Sequence, residues 1–550
     1  MGRHSEHDVV PQGGSSRRSL LAIGLVLLLA LGALGFVKYL TGRGTEDATA
    51  DASPKACGKT TSVKVATTPE FNGQVEAAVR ALGDPAKTCT KYDVTSEPAS
   101  QTSASIQQNS NVPDVWIADS PMLIDQVTAV RGQAAVTVGP TLASSPVVVA
   151  VPPRLKTNPM ATGHPSWVKV IDGTLPLAVD STKSTASLVA ITTASQFVAT
   201  PADKQSLVQS FVGLSRTPPT AAAVDLTAKD SRAVPVSEQQ LVELNKKASE
   251  PATALVPSEG AGQLVYSWVV PAKSQTAPTA ALEALQQQLV SPTIKKSLTD
   301  AGFRVTGLSA PAGTGVPADV KLVATPSKDQ ATDAQKLWTN VRKDSRMLIV
   351  LDASGSMTTP VPGVGKRVDI AVGFSLKSFD TMPQGSEVGL WAFSTDLNGK
   401  GTDYKKLADP ARLDVKANKD KLRAAAGQVP DLVKRNGDTG LYDSIAAAYE
   451  QMSITYDPNY VNSVIVMTDG KNDDPGGGLT LAQLTSKLRG LYDPKKPVKI
   501  ITIAMGGDSD PKELQQLAQL TRGLSYVAKT PAEMKSVFLD AYAHRHDSSG

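Results

Sequence analysis

Asp352-Ala353-Ser354-Gly355-Ser356 puts one carboxylate and two hydroxyls within a single turn of chain. All three are hard oxygen donors, the ligand type that Mg²⁺, Mn²⁺ and Ca²⁺ prefer. The apolar run 347–351 directly precedes them and reads as a buried parallel strand. In open α/β sheets, ligands bind outside the carboxyl ends of the strands, which is where this turn falls. The chemistry expected here is therefore binding of a divalent cation. The competing reading is a Ser-rich turn with no chemical role.

Two later segments bear on that choice. Residues 464–470 form a second apolar run ending in Asp469, and residues 437–443 form a loop, containing Thr439, that opens a helical pattern. An Asp-x-Ser-x-Ser turn, a distant Thr and a later strand-end Asp together resemble the von Willebrand factor A domain and its metal-ion-dependent adhesion site. The resemblance assigns the metal site to Asp352, Ser354, Ser356, Thr439 and Asp469. It implies that Ser354 and Ser356 bind the ion through their hydroxyls and that Thr439 binds directly or through water. Asp352 and Asp469 would act mostly through water and through hydrogen bonds to the hydroxyl ligands. Carboxylates held back in this way leave the ion electrophilic and one position open. In the family, a partner's Glu or Asp fills that position. Mg²⁺ is the first expectation for the ion, with Mn²⁺ and Ca²⁺ as alternatives. Asp473 and Asp474 follow on the same loop and read either as an extension of the site or as solvated charges.

The elements around these motifs fit one domain over 344–543. Helical spacing covers 368–379, 479–491, 511–520 and 531–543, and strands are expected at 387–394, 498–505 and 525–527. Alternating strands and helices imply a parallel sheet covered on both faces. With the resemblance, this is a Rossmann-like, doubly wound α/β fold.

Residues 57–308 form a separate unit. Strands are expected at 62–66, 114–120, 146–152, 175–182 and 266–271, helices at 71–82 and 280–290 and from Ala186, and the segment 294–304 follows. The segment 114–120, the apolar crossover 146–152 and the closing Gly302-Phe303-Arg304 resemble a two-lobed, periplasmic-type solute-binding protein. In that family small ligands sit between the lobes, against helix N-termini and polar loops. Thr67, Thr68, Ser120 and Ser181 are the candidate ligand contacts; each reads equally as a helix cap or turn residue. Residues 309–343 are expected to link the domains, with a Pro/Gly-rich stretch over 310–333 and a docking helix over 335–343.

Residues 20–37 are Leu-rich and free of charge, about the length a bilayer core requires. The expectation is an uncleaved transmembrane anchor with a cytoplasmic tail at 1–19 and a tether at 38–56; a cleaved export signal is the alternative. The two cysteines of the sequence, Cys57 and Cys89, are expected to form a disulfide. A two-cysteine metal site is the other option, but no nearby His completes it. A disulfide implies an oxidising compartment outside the cytoplasm. Net charge is only +4, with no basic cluster that would mark a nucleic-acid surface. Neither a phosphate loop nor a Gly-x-Ser-x-Gly elbow occurs, and the histidines at 4, 7, 164, 544 and 546 form no nucleophile–base arrangement. The tail 544–550 is expected to be disordered. The expected function is a non-enzymatic cell-surface binding protein that grips a protein partner through its metal; the alternative is a solute-binding component of a transport or sensing system.

Overall fold

The computed structural model describes residues 57–544 apart from 58, 181–182, 217–224, 273–276, 507 and 529. The expected anchor, its flanking tail and tether, the candidate Ser181 and the tail beyond 544 lie outside the described residues. Among the described residues, no helix is long and apolar enough to cross a membrane.

In the first domain the strands are β1 (Thr61–Thr67), β2 (Thr90–Ser96), β3 (Val115–Ala118), β4 (Val136–Val151), β5 (Val234–Ser237), β6 (Thr253–Leu255) and β7 (Gly262–Pro271). They form one described sheet in the order β2-β1-β3-β7-β4-β5, with β6 also on β4. β1 runs parallel to β2 and β3, whereas β7 is antiparallel to both β3 and β4. The 16-residue β4 carries the sheet across the domain. Its second half, 146–151, is the apolar run legible in the sequence. The first half contains Gly139 and Pro140 and slips register against β7 between Val138 and Ala143, so it shows no strand-like alternation. Of the strand expected at 175–182, residues 181 and 182 lie outside the described residues and 175–180 form no strand. Pro176 has no N–H to donate to a ladder, and the segment reduces to a single bridge between Leu177 and Ala233.

The helices that matter to function here are α1 (Pro69–Ala81), α2 (Pro121–Arg131), α3 (Thr185–Gln196), α4 (Pro201–Arg216) and α5 (Glu238–Lys247). Prolines open α1, α2 and α4, where the missing N–H costs nothing. A helix over Pro292–Asp300 stops there, because Gly302 takes a positive φ of 98° and turns the chain. Cys57 and Cys89 are joined in a disulfide across 32 residues.

The Pro/Gly-rich stretch after the first domain is pinned along it. Ala261 N–H donates to Lys321 O (2.8 Å) and Val323 N–H to Ala261 O (2.8 Å). The helix expected at 335–343 starts earlier: α6 spans Lys328–Arg342, opened by a Ser327/Gln330 capping box. It packs on α3 and α4 of the first domain and on the last helix of the second.

In the second domain the strands are β8 (Ser345–Asp352), the two-residue β9 (Pro360–Val361) and β10 (Gly365–Lys366), β11 (Glu387–Phe393), β12 (Tyr404–Arg412), β13 (Val461–Thr468), β14 (Val498–Met505) and β15 (Ser525–Ala528). Among the described residues its main sheet has the order β12-β11-β8-β13-β14-β15. All pairings are parallel except β11–β12. The antiparallel edge β12 departs from the expected all-parallel sheet. Its sequence, with Pro410 and lysines at 405 and 406, lacks an apolar pattern. Helices α7 (Arg367–Thr381), α8 (Leu441–Ile454) and α9 (Pro531–His544) belong to this domain. Separate apolar clusters form on the two sides of the sheet, one around Met347, Ile349 and Leu351 and the other around Leu348, Val350 and Val466. The alternation along β8 is the signature of a strand buried on both faces.

Candidate functional site

β8 and β13 are neighbours in register, Met467 opposite Leu351. Their carboxyl ends therefore present Asp352 and Asp469 side by side, both fully buried. The intervening turn is tied down by Asp352, whose Oδ1 accepts the Ser354 N–H at 2.8 Å while Oδ2 accepts the Thr468 hydroxyl at 2.6 Å. The Ser354 and Ser356 hydroxyls lie 3.0 Å apart, and the Ser356 hydroxyl donates to Asp469 Oδ1 at 2.7 Å. Gly355 brings the turn against the loop before α8: its N–H donates to Gly437 O (2.8 Å), and a side chain there would lie 2.6 Å from Arg435 O.

Thr439 is held by a two-way backbone bridge to Asp473, with N–H to O distances of 2.7 and 2.9 Å. Asn472 Oδ1 accepts the Leu441 and Tyr442 N–H groups at the start of α8, each at 3.0 Å. The Thr439 and Ser356 hydroxyls face a common point. A Cβ on Gly470 would lie 3.3 Å from Thr439 Oγ1 and 3.9 Å from Ser356 Oγ. The five residues singled out in the sequence are therefore brought together at one end of the sheet. Two hydroxyls around a spot kept clear by a glycine, with the Ser354 hydroxyl beside that of Ser356 and two buried carboxylates behind, suit a hard divalent cation.

Burial and the charge of Asp469 push the Asp352 carboxyl up to about 6, against bonds from Ser354 and Thr468 that pull it down. The charge of Asp469 disfavours that of its neighbour Asp352. The partial remedy is Arg367, at the start of α7, which sequence reasoning did not find. Its Nη1 bonds Asp469 Oδ2 at 2.7 Å and the exposed Asp508 at 3.0 Å. Arg367 is 102 residues from Asp469 and sits in no local pattern that would announce the contact.

A second acidic group lies nearby. Carboxylate oxygens of Asp403, Asp443 and Asp474 fall within 4.8 Å of one another, close enough to share one cation. Burial and the charges of Asp474, Asp443 and Asp396 raise the Asp403 carboxyl, against an N–H bond from Asp396. Asp474 also caps its own loop, accepting the Gly476 and Gly478 N–H groups at 3.0 and 2.8 Å. Of these acids, only Asp474 was weighed in the sequence, as an extension of the site or as a solvated charge.

In the first domain, β1 and β3 end together, Ala66 opposite Trp116. Thr67 and Thr68 thus lie at one strand end beside Asp119 and Ser120 at the next. β7 adds Tyr266, since Ala118 pairs with Ser267 and the Val265 N–H reaches Asp119 O at 2.9 Å. Ser120 is a helix cap, accepting the Met122 N–H at 3.3 Å. Thr68 stands at the cap position of α1 but makes no cap bond. Thr67 Oγ1, Thr68 Oγ1, Asp119 Oδ1 and the Tyr266 hydroxyl are all buried without a hydrogen-bond partner. Buried polar atoms are seldom left so. Desolvation, reinforced by the charge of Glu70, raises the Asp119 carboxyl to about 7 despite a bond from Thr185. Asp119 and Tyr266 were read in the sequence only as strand residues. Their burial next to Thr67 and Thr68 depends on the pairing of β3 with β7, which no local pattern records.

An uncharacterized Mycobacterium tuberculosis protein is 26% identical over 403 residues, covering 66% of this chain and 58% of that protein. The chain thus spans less than two thirds of that relative. A solved von Willebrand factor type A structure from Catenulispora acidiphila is similar at 21% identity and a TM-score of 0.30, covering 37% of this chain and 43% of that one. The ferric binding protein of Campylobacter jejuni is similar at 12% identity and a TM-score of 0.40, covering 51% and 98%. Residues 63–304 match the family of bacterial extracellular solute-binding proteins, and residues 347–539 match the von Willebrand factor type A domain. The chain therefore joins a bacterial extracellular solute-binding domain to a von Willebrand factor type A domain.

Proposed function

We propose that this chain is a non-enzymatic, membrane-anchored extracytoplasmic binding protein whose second domain recognises an acidic side chain of a protein partner through a divalent cation. The observation that carries this reading is the convergence of the Ser354, Ser356 and Thr439 hydroxyls in front of two buried carboxylates. With Asp352 occupied by Ser354 and Thr468, the ion would take neutral oxygen ligands and keep its charge for an incoming carboxylate. Mg²⁺ is the ion favoured by an all-oxygen donor set with few direct carboxylates, and Mn²⁺ or Ca²⁺ are its substitutes. The ion would supply Lewis acidity, and the chain's own residues hold the hydroxyls in place. The apolar, charge-free segment 20–37 and the disulfide support an anchored chain facing an oxidising compartment.

The test is calorimetric titration of Mg²⁺ into the full chain and into Asp352→Asn and Ser354→Ala variants. The variants should bind at least about tenfold more weakly, and proteins captured on the wild-type chain should be released by chelator. Equal Mg²⁺ affinity in all three proteins would overturn the assignment.

A second reading, capture of a small solute by the first domain, is favoured by the buried, unpartnered polar atoms at the ends of β1, β3 and β7.

A further inference from the structure

The cluster formed by Thr67, Thr68, Asp119 and Tyr266 carries its own chemical signature. It is closed off by aromatic rings: Tyr266 stacks on Phe71 at 5.0 Å and meets Phe303 edge-on at 5.1 Å. Gln240 of α5 donates its amide to Glu70 of α1 at 2.5 Å. On the side of α5, the buried Gln239 has an unpartnered Oε1. The groups that act on Asp119 are Thr185, Glu70 and its own backbone, and those that act on Tyr266 are Glu70 and Asp119. Asp119 Oδ1 accepts no bond from a cation. Arg304, which lies beside α5, is committed to Glu238 and to the Ala318 and Pro317 carbonyls.

A tetrahedral oxyanion needs donors and positive charge. The N-termini of α1 and α2 open here, but the buried acid Asp119, with the charge of Glu70 bearing on it, opposes an anion, and the hydroxyls can turn either way. Hard metal ions need several charged oxygens at once, and here only one unpartnered carboxylate oxygen is on offer. An ammonium group brings three donors and one positive charge. That is the complement of Asp119 Oδ1 with flanking hydroxyl acceptors beside the Tyr266 ring.

We propose that the cluster of unpartnered polar groups at the ends of β1, β3 and β7 takes a small ammonium-bearing solute, contacted by Asp119, Thr67, Thr68 and Tyr266. This rests on the solute-capture reading and adds the class of solute. The ligand's charge takes the place of the missing cation, and Asp119 gives up its proton when the ligand enters.

The test uses the full chain in excess EDTA, which silences the second domain's metal site. Thermal shift and calorimetry are run with putrescine, lysine and ethanolamine, and in parallel with sodium sulfate, sodium molybdate and glucose. The expected result is saturable binding of at least one amine, accompanied by proton release measured in two buffers of different ionisation enthalpy. Asp119→Asn should weaken it at least tenfold, and Thr68→Ala should weaken it less. Tighter binding of sulfate, molybdate or glucose than of any amine overturns the class of solute while leaving capture standing. Amine binding unchanged in Asp119→Asn likewise overturns it. No binding of any of the six probes overturns capture itself, and the proposal with it.

Discussion

Asp119→Asn offers a quantitative test that requires no knowledge of the ligand. In the unfolded chain the Asp119 carboxyl titrates near 3.8, whereas in the folded chain burial lifts it to about 7. At about 1.4 kcal/mol for each tenfold change in proton affinity, ionising Asp119 in the folded state costs on the order of 4 kcal/mol. The sign follows from proton binding. Between 3.8 and about 7 the folded chain holds a proton that the unfolded chain has released. Stability therefore falls as pH rises through that window, and the full penalty is present above it. Between pH 5 and pH 8 the wild-type chain should lose roughly 2.5 kcal/mol that the variant does not. Urea unfolding of both proteins at the two pH values measures this directly. Every other titrating group is common to the pair, so the difference between their slopes isolates Asp119. Equal pH slopes would mean that the carboxyl is not held protonated, and the orphaned Oδ1 would need another explanation. Saturation with a binding amine should flatten the wild-type slope as well.

Arg367→Gln removes the charge that shares Asp469 with the metal site, so Mg²⁺ affinity should rise by roughly 1 kcal/mol, about fivefold; weaker binding by calorimetry would mean that Arg367 acts chiefly by positioning Asp469. Trp338→Ala removes a side chain that is buried between α6 and α4 and meets Phe211 edge-on at 5.3 Å. It should cost about 3–5 kcal/mol in chemical unfolding, and a loss under 1 kcal/mol would contradict the packing described. Reducing the Cys57–Cys89 bond, which closes a separation of 32 residues, should lower stability by about 3–4 kcal/mol on the chain-entropy account, read as a drop in melting temperature on adding reductant. Asp352→Asn and Ser354→Ala bear on the metal as set out above.

The metal turn was legible because its signal is local. Five apolar residues followed by Asp352, and a second such run followed by Asp469, fix two strand ends without knowledge of what lies between. β12 was illegible for the opposite reason. It is an edge strand with a Pro, and it holds on through register shifts beside Gly389, where a side chain would lie 2.8 Å from Pro410. Its stability comes from the shape of its neighbour, not from its own pattern. The same contrast separates Thr67 and Thr68 from Asp119 and Tyr266. Position at the end of a strand was enough to mark the threonines. The significance of the acid and the phenol lies in what is missing around them, and only the assembled sheet reveals that. Arg367 belongs with the latter group, since an ion pair spanning 102 residues leaves no trace in spacing.

Helix α6 alters the meaning of the domain boundary. A cut at residue 343 would look clean from the sequence, yet Trp338 and Val341 of α6 belong to the core of the first domain and Asn340 donates to Ala543 O at the end of α9, at 3.2 Å. The described residues from 57 to 544 accordingly belong to one compact unit. An excised second domain would expose the face of α9 that α6 covers, and an excised first domain ending before 328 would expose α3 and α4. The two recognition modules are thus interlocked rather than strung together. They should melt in one transition rather than two, and a swap of either module between proteins would have to carry this helix with it.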